Sequence, residues 1–117
     1  PGESEVMNIV GDVAGKDCII LDDIIDSAGT ICNAANKLIE DGAKSVAAYI
    51  THGVLTGKAL ERVEKSSLSE LVITNSINIG SKTSETSKLK VVSIAPLLGE
   101  AIKRISEESS VSSLFEF

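Results

Sequence analysis

Two rhythms of apolar residues alternate along this chain. Short, nearly unbroken apolar runs at residues 18–21, 46–51, 71–74 and 91–94 read as buried strands. Between the first two, Ile31, Ala34, Ala35, Leu38 and Ile39 fall at i, i+3, i+4, i+7 and i+8, one face of a helix. Gly42 is placed to end that helix as a left-handed cap. Residues 58–65 predict a short helix with Ala59, Leu60 and Val63 turned inward, and the polar residues 78–88 read as a surface loop. Pro96 suits the first turn of a last helix, whose apolar stripe is Leu98, Ala101, Ile102 and Ile105. Strands alternating with helices imply an α/β fold, a mainly parallel sheet flanked by helices with right-handed crossovers, in a single domain over residues 1–117.

The chemistry concentrates in residues 19–30, Ile-Ile-Leu-Asp-Asp-Ile-Ile-Asp-Ser-Ala-Gly-Thr. An apolar strand runs into Asp22 and Asp23, expected at its carboxyl end, which is the ligand side of an open α/β sheet. Carboxylates accept hydrogen bonds only, so neighbouring ones suit a vicinal diol, and they could also touch a hydrated Mg²⁺. Ser27, Ala28, Gly29 and Thr30 are small enough to let the backbone close on an anion at a helix N-terminus. Gly29 is the residue expected to take a positive φ there. Asp26 would repel a phosphate, so it reads as a capping or loop-bracing group, or as a base near a sugar. No Lys or Arg lies between Lys16 and Lys37, which leaves backbone dipoles and hydroxyls to hold the anion.

Those residues resemble the phosphoribosyl-diphosphate (PRPP) loop shared by type I phosphoribosyltransferases and the ribose-phosphate diphosphokinase, or PRPP synthetase, family. The run from Val10 to Asp17 is similar to the synthetase lead-in, and Thr51-His52-Gly53-Val54-Leu55-Thr56-Gly57 with Ala59-Leu60-Glu61-Arg62 to its next strand exit and helix. Val72 to Ile77, Ala95 to Ile102 and the tail Ser110 to Phe115 follow in the same order. The resemblance is to the C-terminal half of the synthetase. It implies a phosphoribosyltransferase-like fold, with Asp22 and Asp23 on the ribose and Asp26, Ser27, Ala28, Gly29 and Thr30 on the 5-phosphate. It also implies that Ser110, Val111 and Ser112 contact a regulatory phosphate, although Glu107-Glu108 departs from the family pattern there. Lys58 stands where the family commonly has Pro, Ser27 where it has Thr and Ala28 where it has Gly.

The implied reaction moves the β,γ-diphosphoryl group of ATP, with Mg²⁺, to the 1-hydroxyl of ribose 5-phosphate, giving PRPP and AMP. The family's nucleotide-binding aromatic, metal-holding groups and basic catalytic loop precede this segment, and the chain starts at Pro1. The expectation is therefore a fragment that binds ribose 5-phosphate weakly and does not turn over. A cytoplasmic homo-oligomer, hexameric by the resemblance, is also implied. Two alternatives keep the same loop: a type I phosphoribosyltransferase that consumes PRPP, and a non-catalytic regulatory subunit resembling the synthetase.

Composition narrows the remaining classes. The chain of 117 residues is 43% hydrophobic but has two Phe, one Tyr and no Trp, so its core has to be aliphatic. A net charge of −6 with scattered basic residues does not fit a nucleic-acid partner. No apolar run approaches the roughly 20 residues of a membrane span. Cys18 and Cys32 have no CxxC spacing and read as two buried free thiols, and no metal cluster is visible. Gly11, Gly15 and Lys16 miss the P-loop spacing and read as a turn. His52, the only histidine, follows a strand and is expected to position rather than react; Asn75 and Ser76 end another strand on the same side.

Overall fold

The computed structural model describes residue 9 and residues 11–116, so residues 1–8, Val10 and Phe117 of the expected domain lie outside the described residues. Four strands, β1 (Asp17–Ile25), β2 (Ser45–Gly53), β3 (Glu70–Thr74) and β4 (Leu89–Val92), form one sheet in the order β1-β2-β3-β4 with every pair parallel. Helix α1 (Gly29–Glu40) joins β1 to β2, α2 (Ala59–Lys65) joins β2 to β3, and α3 (Ala95–Ser106) follows β4. Short 3₁₀ turns stand at Gly80–Ser84 and Ser112–Phe115. No helix among the described residues is long and apolar enough to cross a membrane. Residues 14–15 form the expected turn, with the Gly15 N–H on the Gly42 carbonyl and the Lys44 N–H on the Lys16 carbonyl.

Crossovers that step the same way along a sheet deliver their helices to the same face. That face is the core. Val46, Ala48 and Ile50 of β2 and Leu71 and Ile73 of β3 are buried there against Ile31, Cys32 and Ala35 of α1 and Ala59, Leu60 and Val63 of α2. All of these are aliphatic or small. The opposite face keeps Ile19, Leu21, Tyr49 and Val92 exposed, and Leu21 retains 75% of its surface. The expected stripe of α3 forms on schedule, yet the helix has no buried residue, and Ile102 and Ile105 are each 67% exposed. Cys18 is only half-buried while Cys32 is buried, which corrects the expectation of two buried thiols. Desolvation pushes the Cys32 thiol above its ordinary pKa, against a hydrogen bond with Ser66 and the charges of Lys88 and Arg62.

The ends of α1 are built differently. At its C-terminus Gly42 has φ 101°, its N–H donates to the Ile39 carbonyl and the Ala43 N–H to Leu38. That is the Schellman arrangement a glycine allows. At its N-terminus Ala28, not Gly29, occupies the left-handed region, with φ 69°, and no side chain caps the helix. Gly29 begins the helix, and a Cβ on it would come no nearer than 3.9 Å to Ser27 Oγ. The positive φ thus falls one residue earlier than expected, on a residue with a Cβ.

Other boundaries move as well. β1 continues to Ile25, β4 starts at Leu89 and stops at Val92, and Ile94 serves as the N-cap of α3. The polar segment 78–88 is a loop fastened at several points rather than a loose one. Lys82 Nζ donates to the Leu55 carbonyl at 2.9 Å, and Lys88 Nζ reaches the carbonyls of Glu64 and Ser66 at 3.0 and 2.9 Å, where α2 ends. The buried hydroxyl of Thr86 donates to the Glu64 carboxylate.

Two stabilities follow from this packing. A Cβ on Gly53 would lie 2.6 Å from Ile73 Cδ1 and 3.2 Å from its Cγ2 in the core. Gly53→Ala is expected to cost about 1–3 kcal/mol in urea unfolding, and less in an Ile73→Val background, which lacks the nearest atom. Ala28→Gly is expected to raise stability by about 0.5–1 kcal/mol in the same assay, because glycine takes a positive φ without the Cβ penalty.

Candidate functional site

The carboxyl ends of β1, β2 and β3 come out side by side, because all three strands run parallel. The segments that follow them touch. Thr56, after β2, donates its Oγ1 to Asp26 Oδ1 at 2.5 Å and its N–H to the Asp26 carbonyl at 3.2 Å. Val54 and Leu55 donate their N–H groups to the Ile25 carbonyl. Asp26 is therefore held as a brace between the first and second strand exits, one of the roles its sequence position suggested.

Asp22 and Asp23 are exposed, but they lie inside β1, not beyond it as expected. Successive strand residues face opposite sides of a sheet. Asp22 shares the row of Ile50 and Ile73 in the strand register, while Asp23 falls on the other face. Asp22 Oδ1 in addition accepts the Asp23 N–H at 2.8 Å.

Ser27, Ala28, Gly29 and Thr30 carry the chain from β1 into α1. Ala28 is the N-cap, and its carbonyl accepts the Cys32 N–H at 3.0 Å. The first-turn N–H groups have no side-chain cap, so the positive end of the helix dipole faces the loop undiluted. A cation also reaches this loop, which the spacing of basic residues along the chain did not suggest. Arg62 of α2 donates Nη1 to the Ser27 carbonyl at 2.8 Å. The one sequence signal for it is helical spacing: Arg62 follows the inward-facing Ala59 by three residues, so it lies on the flank of the buried stripe nearest α1.

His52 and Ser76 meet, with Nδ1 and Oγ 2.7 Å apart, and Ser76 Oγ also lies 3.4 Å from the Thr51 carbonyl. The Asn75 side-chain carbonyl accepts the Ile94 N–H at 2.9 Å, tying the third strand exit to the start of α3. In the tail, Ser110 and Ser112 hydroxyls are 3.0 Å apart. Arg104 gathers round them, with Nη1 on the Ser110 carbonyl at 3.1 Å and on the Ser113 hydroxyl, and Nε on Glu100 at 3.0 Å. Val111 N-caps the 3₁₀ turn beside them. Among the described residues, no group of three or more His, Cys, Asp or Glu is gathered in a way that could hold a metal ion.

Comparison with known proteins gives one answer throughout. A ribose-phosphate pyrophosphokinase of Agrobacterium fabrum is 61% identical over 116 residues, covering 99% of this chain and 37% of that protein. One of Brucella melitensis is 58% identical over the same length, again 37% of its own chain. The crystal structure of phosphoribosylpyrophosphate synthetase from Mycobacterium smegmatis superposes with a TM-score of 0.79 at 45% identity, over 86% of this chain and 33% of that one. The chain thus spans a little over a third of the curated relatives it matches, which corrects the expectation of a C-terminal half. The family model described as "Phosphoribosyl synthetase-associated domain" matches residues 1–116, and the chain belongs to that family.

Proposed function

We propose that this chain is the sugar-phosphate-binding region of an enzyme that makes PRPP and AMP from ribose 5-phosphate and ATP. The observation that carries the reading is the loop Asp26–Thr30. It enters an uncapped helix N-terminus, is braced by Thr56 and meets a cation from α2. An uncapped N-terminus with small residues before it suits a phosphate dianion. The ribose hydroxyls need acceptors, and the exposed Asp22 and Asp23 are the acids next to the loop.

Asp22 or Asp23 would hold a Mg²⁺ together with substrate oxygens, as that ion favours, and the ion would neutralise charge on the transferring phosphates. The work of the chain itself is placement. It keeps the sugar by its phosphate and diol so that the 1-hydroxyl stands in line with the β-phosphorus of ATP. Assembly into a homo-oligomer and binding of a regulatory phosphate by Ser110, Val111 and Ser112 belong to the same proposal. The second of these is supported by the approach of Arg104.

Titration calorimetry of this chain with ribose 5-phosphate tests the reading. Saturable binding is expected, and Asp26→Ala, which removes the brace, should weaken it about tenfold. Absence of binding would overturn the reading, and a clear preference for Mg²⁺–PRPP would favour a transferase that consumes PRPP.

A further inference from the structure

Two contacts from the segment after β2 reach the loop between β1 and α1. Thr56 holds Asp26 by side chain and backbone, and Arg62 holds the next residue by the Ser27 carbonyl, 35 positions away in the chain. The second contact has a geometric consequence. The Ser27–Ala28 peptide is trans, so its carbonyl and the following N–H point in opposite directions. Fixing the Ser27 carbonyl on the Arg62 side aims the Ala28 N–H away from it. Ala28 then completes the turn at φ 69°, a conformation an L-residue keeps only when its surroundings hold it. No side chain caps the start of α1; Ala28 is itself packed in the core, and the Arg62 contact fixes the peptide that precedes it.

We propose that Arg62 is a positioning residue of the sugar-phosphate site. By binding the Ser27 carbonyl it holds the Ala28 turn that presents the Ala28, Gly29 and Thr30 N–H groups to the phosphate. The identity of the phosphate rests on the function proposed above, whereas the ordering of the loop does not. Arg62 is itself well founded for this task, because its helix is anchored by the buried Ala59, Leu60 and Val63. It also stands close enough to Cys32, in the first turn of α1, for its charge to be felt at that thiol. A guanidinium holds a carbonyl with a planar, directed donor, which an ammonium on a flexible stem does not reproduce.

Backbone amide exchange followed by NMR on this chain tests the proposal, with ribose 5-phosphate titrated in parallel. Arg62→Met is expected to speed exchange about fivefold or more at Cys32 and Thr56, whose N–H groups bond the loop carbonyls of Ala28 and Asp26, while leaving Leu71 and Ile73 in β3 unchanged. Arg62→Lys should recover only part of that protection. Lys65→Met, which removes a neighbouring charge paired with Glu61, should leave the loop as it was. Ribose 5-phosphate affinity should fall about tenfold in Arg62→Met and not in Lys65→Met. Unchanged loop exchange in Arg62→Met overturns the proposal, and so does a loss of protection that includes Leu71 and Ile73, since Arg62 would then be a general staple. If the loop loosens as expected but the unaltered chain binds no ribose 5-phosphate, the positioning role stands and the ligand assignment fails.

Discussion

Parallel strands have to be joined by crossovers, and crossovers that all step one way along a sheet put their connections on one face and their strand exits on one edge. That constraint organises the molecule. It brings α1 and α2 together over Val46, Ala48, Ile50, Leu71 and Ile73, and it makes the segments after β1, β2 and β3 neighbours. Contacts such as Thr56 on Asp26, His52 against Ser76 and Asn75 on the Ile94 N–H follow from it. Each is exposed and modest in strength, and none could hold the exits together alone. The aliphatic layer beneath does that.

The same layer leaves little room for variation. Gly53 ends β2 where the chain runs against Ile73, and the close approach is possible because no Cβ intervenes. Leu55, two residues on, is buried with φ 55°, and its carbonyl takes the ammonium of Lys82. Of the three non-glycine residues in the left-handed region among the described residues, Ala28 and Leu55 follow the first two strands and Glu108 follows α3. Two of these three thus stand in the segments that follow the first two strands, while the regular elements carry the packing.

Much of the fold could be read from periodicity. The inward stripe of α2 and the Gly42 cap of α1 come straight from spacing, because helix faces and left-handed glycines leave local marks. Strand ends were harder. Asp22 and Asp23 look like an exit because carboxylates seldom sit in a strand, yet β1 passes through them, since as the first strand in the sheet order it leaves them exposed. The turn at Ala28 was misassigned to Gly29 because residue type alone favours glycine for a positive φ. Thr56 leaves no local mark as part of the site and Arg62 only its helical spacing after Ala59, since their contacts span 30 and 35 positions and depend on how distant segments pack.

The bare side of the sheet has its own significance for how the molecule behaves in a crowded solution. Ile19 and Leu21 are exposed on β1, which has β2 on one side and, among the described residues, no strand on the other. An apolar strand with a free edge is a template for another strand, and charged residues along it are the usual protection. Here Asp17, Asp22 and Asp23 supply that protection, so a second copy laid edge to edge would bring carboxylate against carboxylate. The acids proposed for the ribose are then also gatekeepers of the edge. Neutral residues at those three positions would remove the repulsion that opposes zipping of such edges into larger sheets.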